Sequence, residues 1–199
     1  ALIDRGFPEE FVRVTRRLLA RIDWGVACVS YRHFDQVFSQ AIKLMTEFGS
    51  ETEVDELLSR YEESIPGRSA QYINLADMRT YAYWYRKDYA QAVFWGETGE
   101  RLVSGSKVDT KFSTAHNLAL ARRDSGNTLG ALKYFLHGHR LEDVTSEKEP
   151  DPSRGGHFYG NIDRCLYFQD NIMDALNCYR LAARILEKKN EPSDSLNRG

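Results

Sequence analysis

Apolar residues recur every three or four positions along most of this chain, which is the spacing of one face of an α-helix. The pattern predicts helices from Pro8 to about Tyr31, from His33 to Phe48 and from Glu53 to Ser64. Gly49 and the run Ile65-Pro66-Gly67 follow the second and third of these stretches, and such residues end helices. No stretch carries a strand pattern outside a longer helical one, so we expect an all-α protein.

From Ala70 onward the predicted helices come in three pairs, each joined by a short polar turn. The expected ranges are 68–86 with 89–103, 110–125 with 128–144, and 158–169 with 172–189. The second helices align on Ala92, Ala131 and Ala175, with offsets of 131 − 92 = 39 and 175 − 131 = 44 residues. A small residue at a fixed place lets two helices approach closely. The pattern therefore predicts about nine helices, mostly stacked as antiparallel pairs.

The extra residues between pairs lie in polar stretches. Ser104 to Lys107 is rich in glycine and serine, and Glu147 to Gly156 contains two prolines, two glycines and no apolar side chain. We expect the second stretch to be a mobile loop that is dispensable for folding.

The three pairs resemble tetratricopeptide repeats, a family with small, aromatic and small residues spaced along the second helix. Copies of this spacing occur at Ala175, Tyr179 and Ala182, and at Ala131, Phe135 and Gly138, with Ala119 in the preceding first helix. In the earliest pair Gly96 stands at the aromatic position, so Phe94 and Trp95 are expected to supply the bulk. The offsets exceed the family period of about 34 residues. The resemblance implies a right-handed α-solenoid.

In this family the first helices of the pairs line a concave groove that binds peptides or proteins. The alanine alignment places ten residues toward that groove: Asn74, Asp77, Tyr81, Trp84, His116, Asn117, Arg123, Asn161, Arg164 and Tyr167. Carboxamides there can hold a peptide backbone, and arginines can bind a carboxylate. The alternative is that these are ordinary solvated residues on exposed helix faces. On the groove interpretation, removing Arg123 and Arg164 together weakens binding with little effect on stability, because exposed charges contribute little to it.

Length and composition set the broad class. The chain has 199 residues, 42% hydrophobic residues and a net charge of −2, which describes a globular protein without the basic excess of a nucleic-acid binder. We expect one helical-repeat domain over 1–189, with degenerate helices over 8–69 and the three pairs over 70–189, followed by a polar tail at 190–199. The start at Ala1 suggests that the chain is part of a longer protein.

The sequence lacks the motifs of catalytic, cofactor or metal sites. It has no phosphate-binding glycine loop, no nucleophile elbow and no metal-binding H-E-x-x-H pattern. His137 and His139 are two residues apart, so on a helix they point to different faces, and His157 lies further along the chain. Cys28, Cys165 and Cys178 are an odd number without a C-x-x-C arrangement, which is typical of reduced, packed thiols in a cytoplasmic protein.

Three functions remain open from the sequence. The leading one is a protein- or peptide-binding scaffold that is not an enzyme, needs no cofactor, and contacts neither nucleic acid nor membrane. The second is a regulatory, sensor or oligomerisation domain of a larger signalling protein or enzyme. The third, and least favoured, is a helical enzyme with a site at the histidines.

Overall fold

The structure, a computed structural model, describes residues 8–30, 33–65, 70–104, 112–145 and 152–189. These residues form α-helices and no strand, as the sequence predicts. The ten helices are α1 (Pro8–Leu19), α2 (Trp24–Ser30), α3 (Phe34–Phe48), α4 (Glu51–Ser64), α5 (Ala70–Tyr85), α6 (Tyr89–Ser104), α7 (Phe112–Asp124), α8 (Thr128–Thr145), α9 (Pro152–Tyr167) and α10 (Ile172–Lys189). The chain divides into two compact units, Ala1–Asp109 and Thr110–Gly199.

The helix predicted from Pro8 to Tyr31 is two helices, and this accounts for the tenth. The Asp23 carboxylate accepts a hydrogen bond of 3.1 Å from the Val26 N–H, so Asp23 caps a new helix. Just before it, the Arg21 N–H bonds the Leu18 carbonyl at 3.1 Å, which tightens the last turn of α1. The apolar period continues through this break, so periodicity alone does not show it.

A capping box fixes the start of α4. The Ser50 hydroxyl accepts a hydrogen bond from the Glu53 N–H, and the Glu53 carboxylate accepts one from the Ser50 N–H, both at 3.3 Å. The helix therefore begins at Glu51, two residues before the predicted start.

Aromatic side chains from α2, α3 and α4 form the centre of the first unit. The Phe38 ring stacks on Tyr61 with 4.9 Å between centroids, and Trp24 meets the same phenylalanine edge-on at 5.4 Å. The buried Tyr61 hydroxyl donates a 2.8 Å hydrogen bond to the Asp35 carboxylate, so its polar atom is satisfied. Helix α3 shares its packing among α1, α4 and α5. The four N-terminal helices thus surround one mixed core.

The remaining helices form the three predicted pairs: α5 with α6, α7 with α8, and α9 with α10. The aligned alanines lie at the centre of these pairs, as predicted. Ala92 and Ala131 are fully buried and Ala175 is 6% exposed. A larger side chain at these positions would separate the helices, so the small residues set the distance within each pair.

Two sequence expectations are wrong. Pro152 to Gly156, predicted as part of a loop, belongs to the first turns of α9, with Pro152 at the first helical position where its missing N–H costs nothing. Phe94 is 53% exposed and does not supply core bulk, whereas Trp95 is half-buried beneath the Arg79 guanidinium at 4.3 Å. The stretches 105–107, 146–151 and 190–199 lie outside the described residues.

Replacing Ala131 or Ala175 with leucine tests the packing of the pairs. Three added carbon atoms at a buried crossing force the helices apart, so each variant should lose about 1–3 kcal/mol in its free energy of unfolding. Ala90→Leu is the matched control, because Ala90 lies on the exposed face of α6. Urea denaturation of the three variants measures this. Equal stability of all three would disprove the buried crossing.

Candidate functional site

The predicted site residues of the first unit fall into an exposed and an inner group. Tyr81 and Trp84 lie half-exposed on α5 with ring centroids 5.7 Å apart, and Tyr85 stacks on the other side of Tyr81. The Tyr81 hydroxyl donates a 2.6 Å hydrogen bond to Glu47, and the Lys43 ammonium lies 5.4 Å from the ring centroid. Burial, aided by this carboxylate, raises the pKa of the Tyr81 hydroxyl. These contacts hold an aromatic surface in one orientation.

Asn74 and Asp77, by contrast, point into the structure. Asp77 is buried, and the Asn74 amide approaches the Asp35 carboxylate at 3.4 Å. Asp35 also accepts hydrogen bonds from Tyr61 and from the Gln71 amide. Asn74 therefore completes an internal polar network around Asp35.

In the second unit, Arg123 is buried, which contradicts the expectation of an exposed groove arginine. Its side chain donates to both carboxylate oxygens of Asp124, at 2.6 and 2.9 Å, and to the amide oxygen of Asn161 at 2.5 Å. The arginine lies at the end of α7 and the asparagine in α9, so one guanidinium ties two first helices together. Arg123 thus positions neighbouring side chains and is not free to bind a ligand carboxylate.

Asn117 and His116 lie one turn and more before Arg123 on α7. Asn117 is 6% exposed, so the proposed equivalence with the half-buried Asn161 in contacting a peptide does not hold for it. The His116 ring meets the buried Phe135 ring edge-on at 5.5 Å. Both residues face the interior of the pair α7–α8.

Arg164 and Tyr167 are the exposed members of the predicted set in this unit. They border a cleft of about 590 Å³ between the ends of α7 and α9 and the first half of α10. Its lining residues are Arg123, Asp124, Asp163, Arg164, Tyr167, Phe168, Ile172, Ala175, Leu176 and Tyr179. The cleft thus combines an apolar floor with a charged border.

Charged groups at this border are unequal in character. Burial raises the pKa of the Asp163 carboxyl, while the backbone N–H of Arg164 and the positive charges of Arg164 and Arg123 act in the opposite direction. Arg164 itself is exposed and forms no ion pair with any residue that the structure describes. It is therefore the cation that an incoming acidic group would meet first.

The sequence interpretation missed the apolar half of this cleft. Phe168, Ile172, Leu176 and Tyr179 lie at the end of α9 and along α10, and all are exposed to a third or more of their surface. A groove made of first helices alone does not include them. The signal was present, since Ile172, Leu176 and Tyr179 continue a helical spacing on a face other than that of the buried Ala175.

The described residues contain neither a candidate metal site nor a candidate membrane span. No cluster of three or more histidine, cysteine or acidic side chains suited to a metal ion occurs among residues whose side chains are described. The side chains of His137, His139 and His157 lie outside that part. None of the described helices combines the length and apolar character needed to cross a membrane.

Comparisons with known proteins identify the fold. The chain is similar to the nearly identical TPR-like repeats of a kinesin light chain-like protein from Podosopora anserina, with a TM-score of 0.62 and 14% identity over 96% of this chain and 92% of that one. It is also similar to BtubC (BKLC) from P. vanneervenii, with a TM-score of 0.52 and 12% identity over 92% of this chain and 89% of that one. No protein-family model and no curated protein matches the sequence. The fold is therefore a TPR-like helical repeat.

Removing the Arg123 side chain should destabilise the protein, contrary to the expectation for an exposed arginine. Arg123→Ala leaves Asp124 and Asn161 without their donor, so we expect a loss of about 1–3 kcal/mol in the free energy of unfolding. Arg164→Ala is the matched control, because it removes an exposed arginine and should change stability by less than about 0.5 kcal/mol. Denaturant unfolding of both variants checks this, and equal stability would contradict the tie between α7 and α9.

The cysteines give a prediction for chemical labelling. Cys165 is fully buried, and this burial raises the pKa of its thiol to about 11. At pH 8 only about one thiol in a thousand is then the reactive thiolate, and the labelling rate should rise with pH up to that pKa. Iodoacetamide followed by peptide mass spectrometry should therefore show half-buried Cys178 modified well before Cys165 in the folded protein. Equal rates, or a pH-independent rate at Cys165, would argue against this burial.

Proposed function

We propose that this chain is a protein-binding scaffold module and that the cleft of its second unit, between the end of α9 and the first half of α10, is a recognition site. The observation that carries the proposal is the combination of an apolar floor, formed by Ile172, Leu176 and Tyr179, with the exposed cation of Arg164. Exposed apolar side chains in a concave surface with a polar border are characteristic of interaction sites.

Roles in this site follow from the surroundings of each side chain. Tyr167 and Phe168 lie with their rings edge to face, 5.9 Å between centroids, at the turn that follows α9. These exposed aromatic rings offer a partner rigid apolar area at low entropic cost. Arg164 selects for an acidic group, and Arg123 supports it from below by holding Asn161 and Asp124 in place.

The aromatic surface of the first unit, formed by Tyr81, Trp84 and Tyr85, is proposed as a second contact area. Its rings are partly exposed and are ordered by Glu47 and Lys43. Tyrosine and tryptophan are enriched at protein interfaces because each combines a large apolar body with a polar atom. Asn74, Asp77, His116 and Asn117 are assigned to the support of the fold in this proposal.

Affinity capture from cells that express the protein tests the proposal. The parent chain should retain a partner that binds the Arg164→Ala/Tyr167→Ala variant at least about tenfold more weakly, because a charged and an aromatic side chain are then both missing from the interface. Leu129→Ala/Lys133→Ala on α8 is the matched control, since it removes an exposed apolar and an exposed cationic side chain outside the cleft. Partners should bind this control as they bind the parent.

Capture that depends on neither pair of residues would contradict the site. Sedimentation of the same proteins addresses the alternative of an oligomerisation domain. A parent oligomer that dissociates in the Arg164→Ala/Tyr167→Ala variant would show that the cleft joins copies of this chain and would replace the scaffold proposal.

A further inference from the structure

A stripe of side chains with helical spacing runs along the uncovered side of α10. Ile172, Leu176, Tyr179 and Ala183 follow one another at steps of four, three and four residues, which places them on one face. Ile172 is 50% exposed, Leu176 37% and Tyr179 38%. This α10 stripe is distinct from the face of Ala175 and Ala182, which is buried against α9.

The preceding pair shows what covers such a stripe. On α8 the corresponding positions, 44 residues earlier, are Thr128, Leu132, Phe135 and His139. Leu132 and Phe135 belong to a core cluster with Phe158 and Ile162 of α9, and Phe135 is only 1% exposed. An α-helix packed alongside therefore covers the stripe of α8. The same positions on α10 have no such cover from the described part of the chain.

Charges beside the α10 stripe indicate the kind of helix that fits. Arg180 and Arg184 are exposed on its outer flank, and Arg164 is exposed at the end of α9 on the other side. No residue that the structure describes forms an ion pair with these three arginines. A helix with acidic residues on both sides of its apolar face would complement them, whereas a basic helix would be repelled.

We propose that the α10 stripe binds an amphipathic α-helix of a partner protein, with apolar residues along one face and acidic residues beside them, in the position relative to α10 that α9 takes relative to α8. This inference rests on the proposed function and specifies the partner. The bound helix occupies the 590 Å³ cleft at its Arg164 end and extends along α10 toward a second cleft, which is lined by Leu181, Arg184, Ile185 and Glu187.

Other segments of this chain do not supply such a helix. Residues 190–199 contain one large apolar side chain, Leu196, which cannot make a stripe. The acidic helix α4 already buries its apolar face, including Val54, Leu58 and Tyr61, in the first unit. A partner helix therefore fits better than a second copy or the tail.

Selection from a random library of phage-displayed peptides of about 20 residues, long enough for a stable helix, tests the proposal. The full chain is the bait, and the Leu176→Gln variant is the counter-selection target. The enriched peptides should carry apolar residues at i, i+4 and i+7 flanked by Asp or Glu, and should lack central proline. One enriched peptide, synthesised alone, should gain helical circular dichroism on binding.

Variants of the bait provide the matched measurement. Leu176→Gln should weaken binding of that peptide by about tenfold or more, whereas Met173→Gln, on α10 but off the stripe, should change it by less than about twofold. Met173 is 67% exposed, so the control removes an even more accessible apolar side chain. Arg180→Ala/Arg184→Ala should weaken binding and reduce its salt dependence.

Several results would overturn the inference: no enriched peptide, enriched peptides that are extended or basic, or equal effects of Leu176→Gln and Met173→Gln. A parent dimer that becomes monomeric in Leu176→Gln would assign the stripe to a second copy and would also overturn it. If cellular partners still require Arg164 and Tyr167 while the selected peptides are extended, the helix inference alone fails and the scaffold proposal stands. If capture is independent of the cleft, the proposed function fails as well.

Discussion

A helix in a stack of pairs has two apolar stripes to cover, and the structure of this chain depends on how each is covered. One stripe of α8 packs against α7 through Ala131, and the other is covered by α9 through Phe135. In α10 the first stripe is satisfied by α9 through Ala175, but the second lies exposed in the described structure. Pairs of this kind bury a continuous core only by stacking on neighbours, so the last pair of any stack carries an apolar face that something must cover.

Polar side chains stabilise the first helices where apolar packing alone would not fix their positions. In the second unit, Arg123 joins α7 to α9 through Asn161. In the first unit, Arg79 lies between the Glu62 carboxylate, at 2.7 Å, and the Trp95 ring, which links α4, α5 and α6. Such partly buried, hydrogen-bonded arginines are costly to remove, because their partners are left without a donor. Residues at the expected ligand-binding positions can therefore serve the fold, and only the exposed ones, such as Arg164, remain available to a partner.

Periodicity and small-residue spacing were enough to predict the three helix pairs, because both reflect burial that repeats along the chain. The break at Asp23 was missed because a single capping carboxylate interrupts the helix without changing the apolar period. The site was less predictable, since a sequence places a residue on a helix face but does not show which neighbour that face meets. Arg123 and Arg164 occupy comparable faces of α7 and α9, yet Asn161 encloses the first, and no described side chain forms an ion pair with the second. The difference arises from stacking, which a single helical pattern does not contain.

The residues that replace the core of α8 on α10 suit a face that is exposed before a partner binds. Tyr179 stands where α8 has the buried Phe135, and its hydroxyl keeps one end of the ring compatible with water. Arg180 and Arg184 border the stripe, and charges beside an apolar segment oppose non-specific association. A tyrosine and flanking cations would be poor choices for a permanent core, where the hydroxyl and the charges would need buried partners. On a surface that is alternately free and occupied, the same residues keep the face hydrated when it is empty and select an acidic helix when it is filled.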